Sequence, residues 1–315
     1  VKKKILFISR KAERCGVADY GRRVNSALQK SELFETHWAE IENANEYVEW
    51  YNKVLPDLVL YNYYPVILPF ITDEFISPIR HIPHVTVYHE VGLAFHPTAI
   101  IDIDSTKEDR PDENYFTSPR PLFENFELKD FPPNEIPTIG SFGFGFPDKN
   151  FPKIAELVCS QFDKAKIRLN TPFATFGDND GNTAKGEVEK MKQIIGNSGK
   201  DIQLEVTHEF LEHIDLLNFL KQNDINVFLY DPHQTRSLSG SIDYALSVRK
   251  PIGISRSWMF RHINWVTPSI YVDERPLKDI IADGIEPLKP IYEKHSNKAL
   301  LEKYEYALTK ILNRN

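Results

Sequence analysis

Short apolar runs alternate with amphipathic stretches along the whole chain. Ile5-Leu-Phe-Ile8 is apolar at consecutive positions, the pattern of a strand covered on both faces. A polar turn over 9–16 follows, and then Val17, Tyr20, Val24, Ala27 and Leu28 recur at helical spacing. Strand, loop and helix in that order open a Rossmann-like unit. Residues 58–61 and 85–88 repeat the strand signal, the second ending at His89-Glu-Val-Gly92. Parallel strands buried by helices carry ligands at their C-terminal ends, so Gly16 and His89 are expected on one functional rim.

Residues 102–135 are charged and proline-studded, with no clear period, and read as irregular structure. Pro132, Pro133 and Pro137 stiffen the end of that segment and withhold ladder hydrogen bonds. The strand and helix grammar then restarts. Thr138-Ile-Gly-Ser-Phe142 reads as a strand, a Gly-rich loop covers 143–149, and a helix runs from near Phe151 to Phe162. Further strands are expected at 167–169, 202–206, 227–230 and 252–254, with amphipathic segments around 187–195, 211–222 and 241–248. Leu300, Leu301, Tyr304, Ala307, Leu308 and Ile311 share one stripe of a last helix. This alternation predicts an α/β protein of two doubly wound domains. The expected bounds are 1–134 for the N-terminal domain and 135–296 for the C-terminal one, with 297–315 a helix available to pack back on the first.

Composition narrows the function classes. The chain has 315 residues, enough for two domains, with 41% hydrophobic and 26% charged residues. A formal charge of −7 lacks the basic footprint of a nucleic-acid binder. Cys15 and Cys159 are far apart and form no CxxC pair, which points to a reducing compartment and away from a zinc site. No apolar stretch is long enough to span a membrane. Lys2-Lys-Lys4 followed by a four-residue apolar run lacks the core of a signal peptide. A cytoplasmic location is expected, with docking on a membrane surface left open.

Three segments carry candidate chemistry. Leu238-Ser-Gly-Ser-Ile-Asp-Tyr244 opens a helix shortly after a strand, and a helix N-terminus offers unpaired N–H groups to phosphate. Ser239, Gly240 and Ser241 let a diphosphate approach that backbone; simple serine capping is the plainer alternative. Gly140-Ser-Phe-Gly-Phe-Gly-Phe-Pro-Asp-Lys-Asn150 sets Lys149 before the next helix, where it can neutralise phosphate, although the third glycine of a dinucleotide fingerprint is lacking. Cys15-Gly-Val-Ala-Asp-Tyr20 is a small-residue turn into the first helix. His89, beside Glu90, is the catalytic candidate of the first domain, with Glu90 available to fix its tautomer or act on an acceptor hydroxyl.

Together these segments resemble the GT-B glycosyltransferases, in particular the large retaining family with an E-x7-E signature in its C-terminal domain. Cys15-Gly-Val-Ala-Asp-Tyr-Gly21 resembles the family's first loop. Ile139-Gly-Ser-Phe followed by Lys149-Asn150 resembles the segment whose lysine contacts the donor diphosphate. The most specific stretch runs from Ser239 through Pro251-Ile-Gly-Ile-Ser255 to Met259-Phe-Arg-His-Ile263. The departures are specific too. The signature glutamates fall near Arg236 and Tyr244, or, shifted by one, near Thr235 and Asp243. The family's arginine before the lysine is replaced around Phe142 and Gly143.

The resemblance implies two Rossmann-like domains facing across a cleft, and transfer of a sugar from a nucleotide-diphosphate-sugar to an acceptor hydroxyl, with retention and without a metal or other cofactor. The acceptor is a glycan, a lipid carrier or another hydroxyl compound. Gly16, Lys149, Phe210, Arg236, Ser239, Gly240, Ser241 and Tyr244 are the expected donor-binding residues, with His89 placed against the transferred sugar. Arg236 is expected to pair phosphate by its planar fork, and Phe210 to lie beside the base. A degenerate nucleotide-sugar-binding module, or an epimerase on the same fold, are the alternatives.

Two acidic patterns are set aside. Asp102-Ile-Asp104 mimics the metal motif of the other glycosyltransferase fold. Asp178-Asn-Asp-Gly181 resembles the start of a calcium loop with Glu189 at its twelfth position, but the pattern breaks over 182–186 and a surface turn is favoured.

Overall fold

A computed structural model describes residues 2–12, 15–175, 177–232 and 236–314. The chain divides into two compact units, Val1–Leu122 with Glu293–Asn315, and Phe123–Tyr292.

In the first unit, strands β1 (Lys3–Arg10), β2 (Phe34–Ile41), β3 (Leu58–Tyr63), β4 (His84–Tyr88), β5 (Ala99–Asp102) and β6 (Tyr115–Thr117) form, among the described residues, a six-stranded sheet in the order β2-β1-β3-β4-β5-β6. Every pairing is parallel. Helices α1 (Gly16–Leu28), α2 (Ala44–Val54) and α3 (Asp73–Ile76) lie between the strands in sequence. The apolar run of β1 is used on both faces, as its unbroken pattern requires. Ile5 and Phe7 join Tyr20, Val24 and Leu28 of α1 in one core. Leu6 and Ile8 join Tyr47 and Val54 of α2 in the other.

β2 carries Glu35, His37 and Glu40 among its apolar residues, because it is an edge strand with less surface to bury. That mixture hides it from a search for apolar runs. The segment read as irregular over 102–135 contains β6, three residues long and also at an edge.

The second unit holds, among the described residues, the five strands β7 (Thr138–Phe142), β8 (Lys164–Asn170), β9 (Asp201–Thr207), β10 (Ile225–Phe228) and β11 (Ile252–Ile254), in the order β11-β10-β7-β8-β9. All pair in parallel. Helices α4 (Phe151–Gln161), α5 (Asn182–Ser198), α6 (His213–Lys221), α7 (Gly240–Ser247) and α8 (Leu277–Asp283) complete it. Residues 123–134, expected on the N-terminal side of the boundary, belong here. The Phe123 ring lies 4.3 Å from that of Tyr244, and Lys129 N–H donates to Asn218 Oδ1 at 2.9 Å. After α9 (Lys289–Lys294), helix α10 (Asn297–Leu312) supplies Leu300, Tyr304, Ala307, Leu308 and Ile311 to the core it shares with α1.

Topology fixes where each unit can hold a ligand. In the first, the chain leaves β1 toward β2 and then returns to β3 on the opposite side; in the second, it leaves β7 toward β8 and β9 and returns to β10. The loops after β1 and β3, and those after β7 and β10, therefore diverge and open a crevice at the C-terminal strand ends.

Candidate functional site

At the crevice of the second unit, β7 runs into Gly143, whose φ of 140° bends the chain away from the strand as only glycine does without strain. The loop returns to place the Lys149 ammonium 3.6 Å from the centroid of the Tyr230 ring. Tyr230 follows β10, and its hydroxyl donates to Ser241 Oγ at 2.9 Å. Ser241 is in the first turn of α7. The lysine and the amino end of α7 thus meet through one tyrosine, on the two loops that the topology opens.

The remaining donor-binding candidates divide. Ser239 caps α7, its Oγ accepting from Ser241 N–H at 3.3 Å, as the plainer alternative had it. Gly240 is exposed at the helix start. Arg236, also exposed, is ion-paired with Asp148, the neighbour of Lys149, so a phosphate must compete with a carboxylate for it. Tyr244 packs against Phe123 and Phe142, and its hydroxyl meets His213 Nδ1 at 2.8 Å. Asp243 is fully buried in the same helix; Thr235 lies outside the described residues. Phe210 is half-buried in the segment after β9, where Asn170 Nδ2 donates to Glu209 O at 3.0 Å.

The segment after β11 braces this rim. Ser239 N–H donates to Met259 O at 3.1 Å, and the Phe260 ring lies 4.9 Å from Tyr230. Arg261, nearly buried, donates to Trp258 O at 2.9 Å. Ser141 Oγ, Thr171 Oγ1 and Ser237 Oγ, near the strand ends and before α7, are buried without a hydrogen-bond partner among the described residues.

At the crevice of the first unit, β4 ends at His89, which is 6% exposed. Its Nε2 lies 2.7 Å from Asn62 Oδ1, and its ring meets the Tyr20 ring edge-on at 5.2 Å. The Arg120 guanidinium, 3% exposed, lies 5.0 Å from the centroid of Tyr20. Burial, then the Arg120 charge, pushes the His89 pKa down to about 3, so the imidazole is neutral at physiological pH. Glu90 adopts a left-handed backbone, φ 58°, and pairs with Lys107 at 2.9 Å. The hydrogen bond at His89 Nε2 goes to Asn62 on the neighbouring strand, 27 residues earlier in the chain.

Gly16 opens α1, exposed and with room for a Cβ. The glycine that matters sterically in the same motif is Gly21, where a Cβ would fall 2.4 Å from Asn62 Nδ2.

The acidic patterns are structural. Asp102 is fully buried, accepting from Tyr115 Oη at 2.6 Å and Lys107 Nζ at 2.8 Å. Asp178 accepts from the Thr183 and Ala184 N–H groups at 2.8 and 3.0 Å, tying down the first turn of α5. Among the described residues no group of three or more His, Cys, Asp or Glu is placed to hold a metal ion. Nor is any described helix long and apolar enough to cross a membrane.

Neither a protein-family model nor a curated protein sequence matches the chain. Solved structures do match it, over nearly its full length. Anabaena HepE, solved with UDP and glucose, superposes with a TM-score of 0.62 at 11% identity, over 98% of this chain and 99% of that one. The sucrose-phosphate synthase of Thermosynechococcus elongatus gives 0.62 at 12% identity, over 98% and 97%. AviGT4, a glycosyltransferase involved in avilamycin A biosynthesis, gives 0.60 at 11%, over 99% and 98%. The fold is GT-B. The GT-B assignment agrees with the two Rossmann-like units expected from the alternating pattern of the sequence.

Of the residues that build these two crevices, Tyr230, Asn62 and Arg120 escape a reading by motif. Tyr230 and Asn62 each sit at the end of an apolar run, where a polar side chain reaches the rim. Arg120 lies in the proline-studded segment and gives no periodic signal.

Proposed function

We propose that the chain is a glycosyltransferase that moves a sugar from a nucleotide-diphosphate-sugar to an acceptor hydroxyl. The observation that carries this reading is the convergence of Lys149, Tyr230 and the amino end of α7 at the crevice of the second unit. An ammonium beside helix N–H groups is an arrangement for a diphosphate. The Tyr230 ring face holds the ammonium by cation–π attraction while the phenol holds Ser241. Because Ser241 accepts from Tyr230, its own proton remains to be given to a phosphate oxygen. Charge grows on the departing diphosphate as the glycosidic bond breaks, and fixed donors stabilise it without reorganising. The GT-B fold shared with HepE, solved with UDP and glucose, supports a nucleotide donor.

Within this reading Phe210 and Tyr244 line the donor, Gly16 leaves space at the start of α1, and His89 meets a sugar hydroxyl. Transfer proceeds with retention and without a metal or cofactor, and the acceptor is a glycan, a lipid carrier or another hydroxyl compound. The decisive experiment is calorimetric titration with UDP and UDP-glucose, followed by donor hydrolysis with EDTA present. Binding that Lys149→Ala weakens at least about tenfold supports the diphosphate site; a folded Lys149→Ala variant with undiminished affinity refutes it. Product anomers resolved by NMR test retention. The second reading, a binding module without turnover, draws on Tyr244, whose ring packs against Phe123 at the second signature position. Binding without hydrolysis or transfer across donors and acceptors favours it.

A further inference from the structure

Asn62 is fully buried near the C-terminal end of β3. Its Nδ2 donates to the Val17 carbonyl at 2.7 Å and to Ser9 Oγ at 3.0 Å. A carbonyl oxygen has no proton to give, so the amide NH2 must face Val17 and the amide oxygen must face His89. That oxygen lies 2.7 Å from His89 Nε2 and can only accept, so Nε2 carries the proton. An imidazolium would also donate from Nε2, but burial and the Arg120 charge oppose it.

We propose that Asn62 is a positioning residue that fixes His89 in the Nε2–H tautomer, so that Nδ1 is an acceptor for a substrate hydroxyl. The last step rests on the glycosyltransfer reading, in which a sugar or acceptor supplies that hydroxyl. The orienting chain runs from two anchors, the Val17 carbonyl and the Ser9 hydroxyl, through one amide to one ring nitrogen. No residue of similar size replaces it. An aspartate would accept from Nε2 but offer Val17 no proton, and its charge would draw the ring into the imidazolium form. An alanine would leave the tautomer unset. Gly21 is part of the same device, since a Cβ there would fall 2.4 and 2.8 Å from Nδ2 and Cγ of Asn62. An unprotonated Nδ1 selects ligands: it takes an O–H and gains nothing from an ether or a deoxy carbon. Held in this form at neutral pH, His89 binds and orients; it does not protonate a leaving group.

The test uses the full chain with 15N-labelled histidine. His89 is assigned by His89→Gln, and two-bond 1H–15N correlation at pH 7 reports which ring nitrogen is protonated. The expected result is Nε2–H alone in the wild type, both nitrogens protonated in Asn62→Asp, and a tautomer mixture in Asn62→Ala. A wild type showing Nδ1–H, or an Asn62→Ala variant with the wild-type pattern, overturns the proposal. Should a variant fail to fold, the wild-type spectrum alone decides. UDP-glucose is then added. It is expected to shift the Nδ1 signal, and Asn62→Ala to weaken UDP-glucose about tenfold while leaving UDP unchanged. The stated tautomer without any response to UDP-glucose leaves the Asn62 lock standing and counts against the nucleotide-sugar reading.

Discussion

Acid should destabilise the first unit through one imidazole. Burial, then the Arg120 charge, holds the His89 pKa down to about 3, whereas an unfolded histidine titrates near ~6.5. Between those values the unfolded chain binds a proton that the folded one refuses, so stability rises with pH across the window. It is complete above about 6.5, falls by about 1.4 kcal/mol per pH unit on acidification, and levels off once the folded form itself protonates. At pH 5 the loss is about 2 kcal/mol. His84, whose pKa burial also lowers, acts in the same direction. His89→Gln removes the titration and keeps a donor for Asn62. The assay is urea unfolding at pH 7.5, 6 and 5, followed by the fluorescence of Trp38 and Trp50 with Trp258 and Trp265 replaced by Phe. Carboxylate titrations are common to both proteins and cancel in the difference. The wild type should lose about 2 kcal/mol relative to His89→Gln between pH 7.5 and 5. A difference that stays flat to within a few tenths of a kcal/mol refutes the reasoning.

Other outcomes follow from the same geometry. Gly21→Ala should destabilise by about 1–3 kcal/mol, because its methyl must displace Asn62 or Trp38 from a packed site; a denaturation midpoint equal to the wild type's would contradict this. Tyr230→Phe keeps the ring under Lys149 and removes the bond to Ser241, so UDP affinity should fall about three- to tenfold. Tyr230→Leu loses the ring as well and should fall further, both read by calorimetry. Asp178→Ala should cost about 1 kcal/mol by releasing two first-turn amides of α5, measured as a lowered Tm with calcium making no difference.

Much of the fold is written locally. Wherever a strand is covered on both faces, as at Ile5–Ile8 or Leu58–Tyr61, consecutive apolar residues announce it. β2 and β6 are edge strands, and their polar residues conceal them. At the crevice of the second unit, Lys149 and Ser239–Ser241 are legible because glycine and serine beside a helix start have a known use with anions. Their meeting point is not, since Tyr230 reads as the last residue of an apolar strand until the order β10-β7 is known. His89 is visible at the end of its strand, yet its partner lies 27 residues earlier on a neighbouring strand. Adjacency along the chain points to Glu90 instead. Pairing across a sheet is not a local property.

The first unit is closed by a helix translated last among its parts. Until α10 emerges, Tyr20, Val24 and Leu28 lack the wall that Leu300, Tyr304 and Leu308 provide, and all of Phe123–Tyr292 must be synthesised in between. At about 5–20 residues per second that interval is on the order of ten to thirty seconds. The inserted unit is free to finish folding before the one that precedes it is closed.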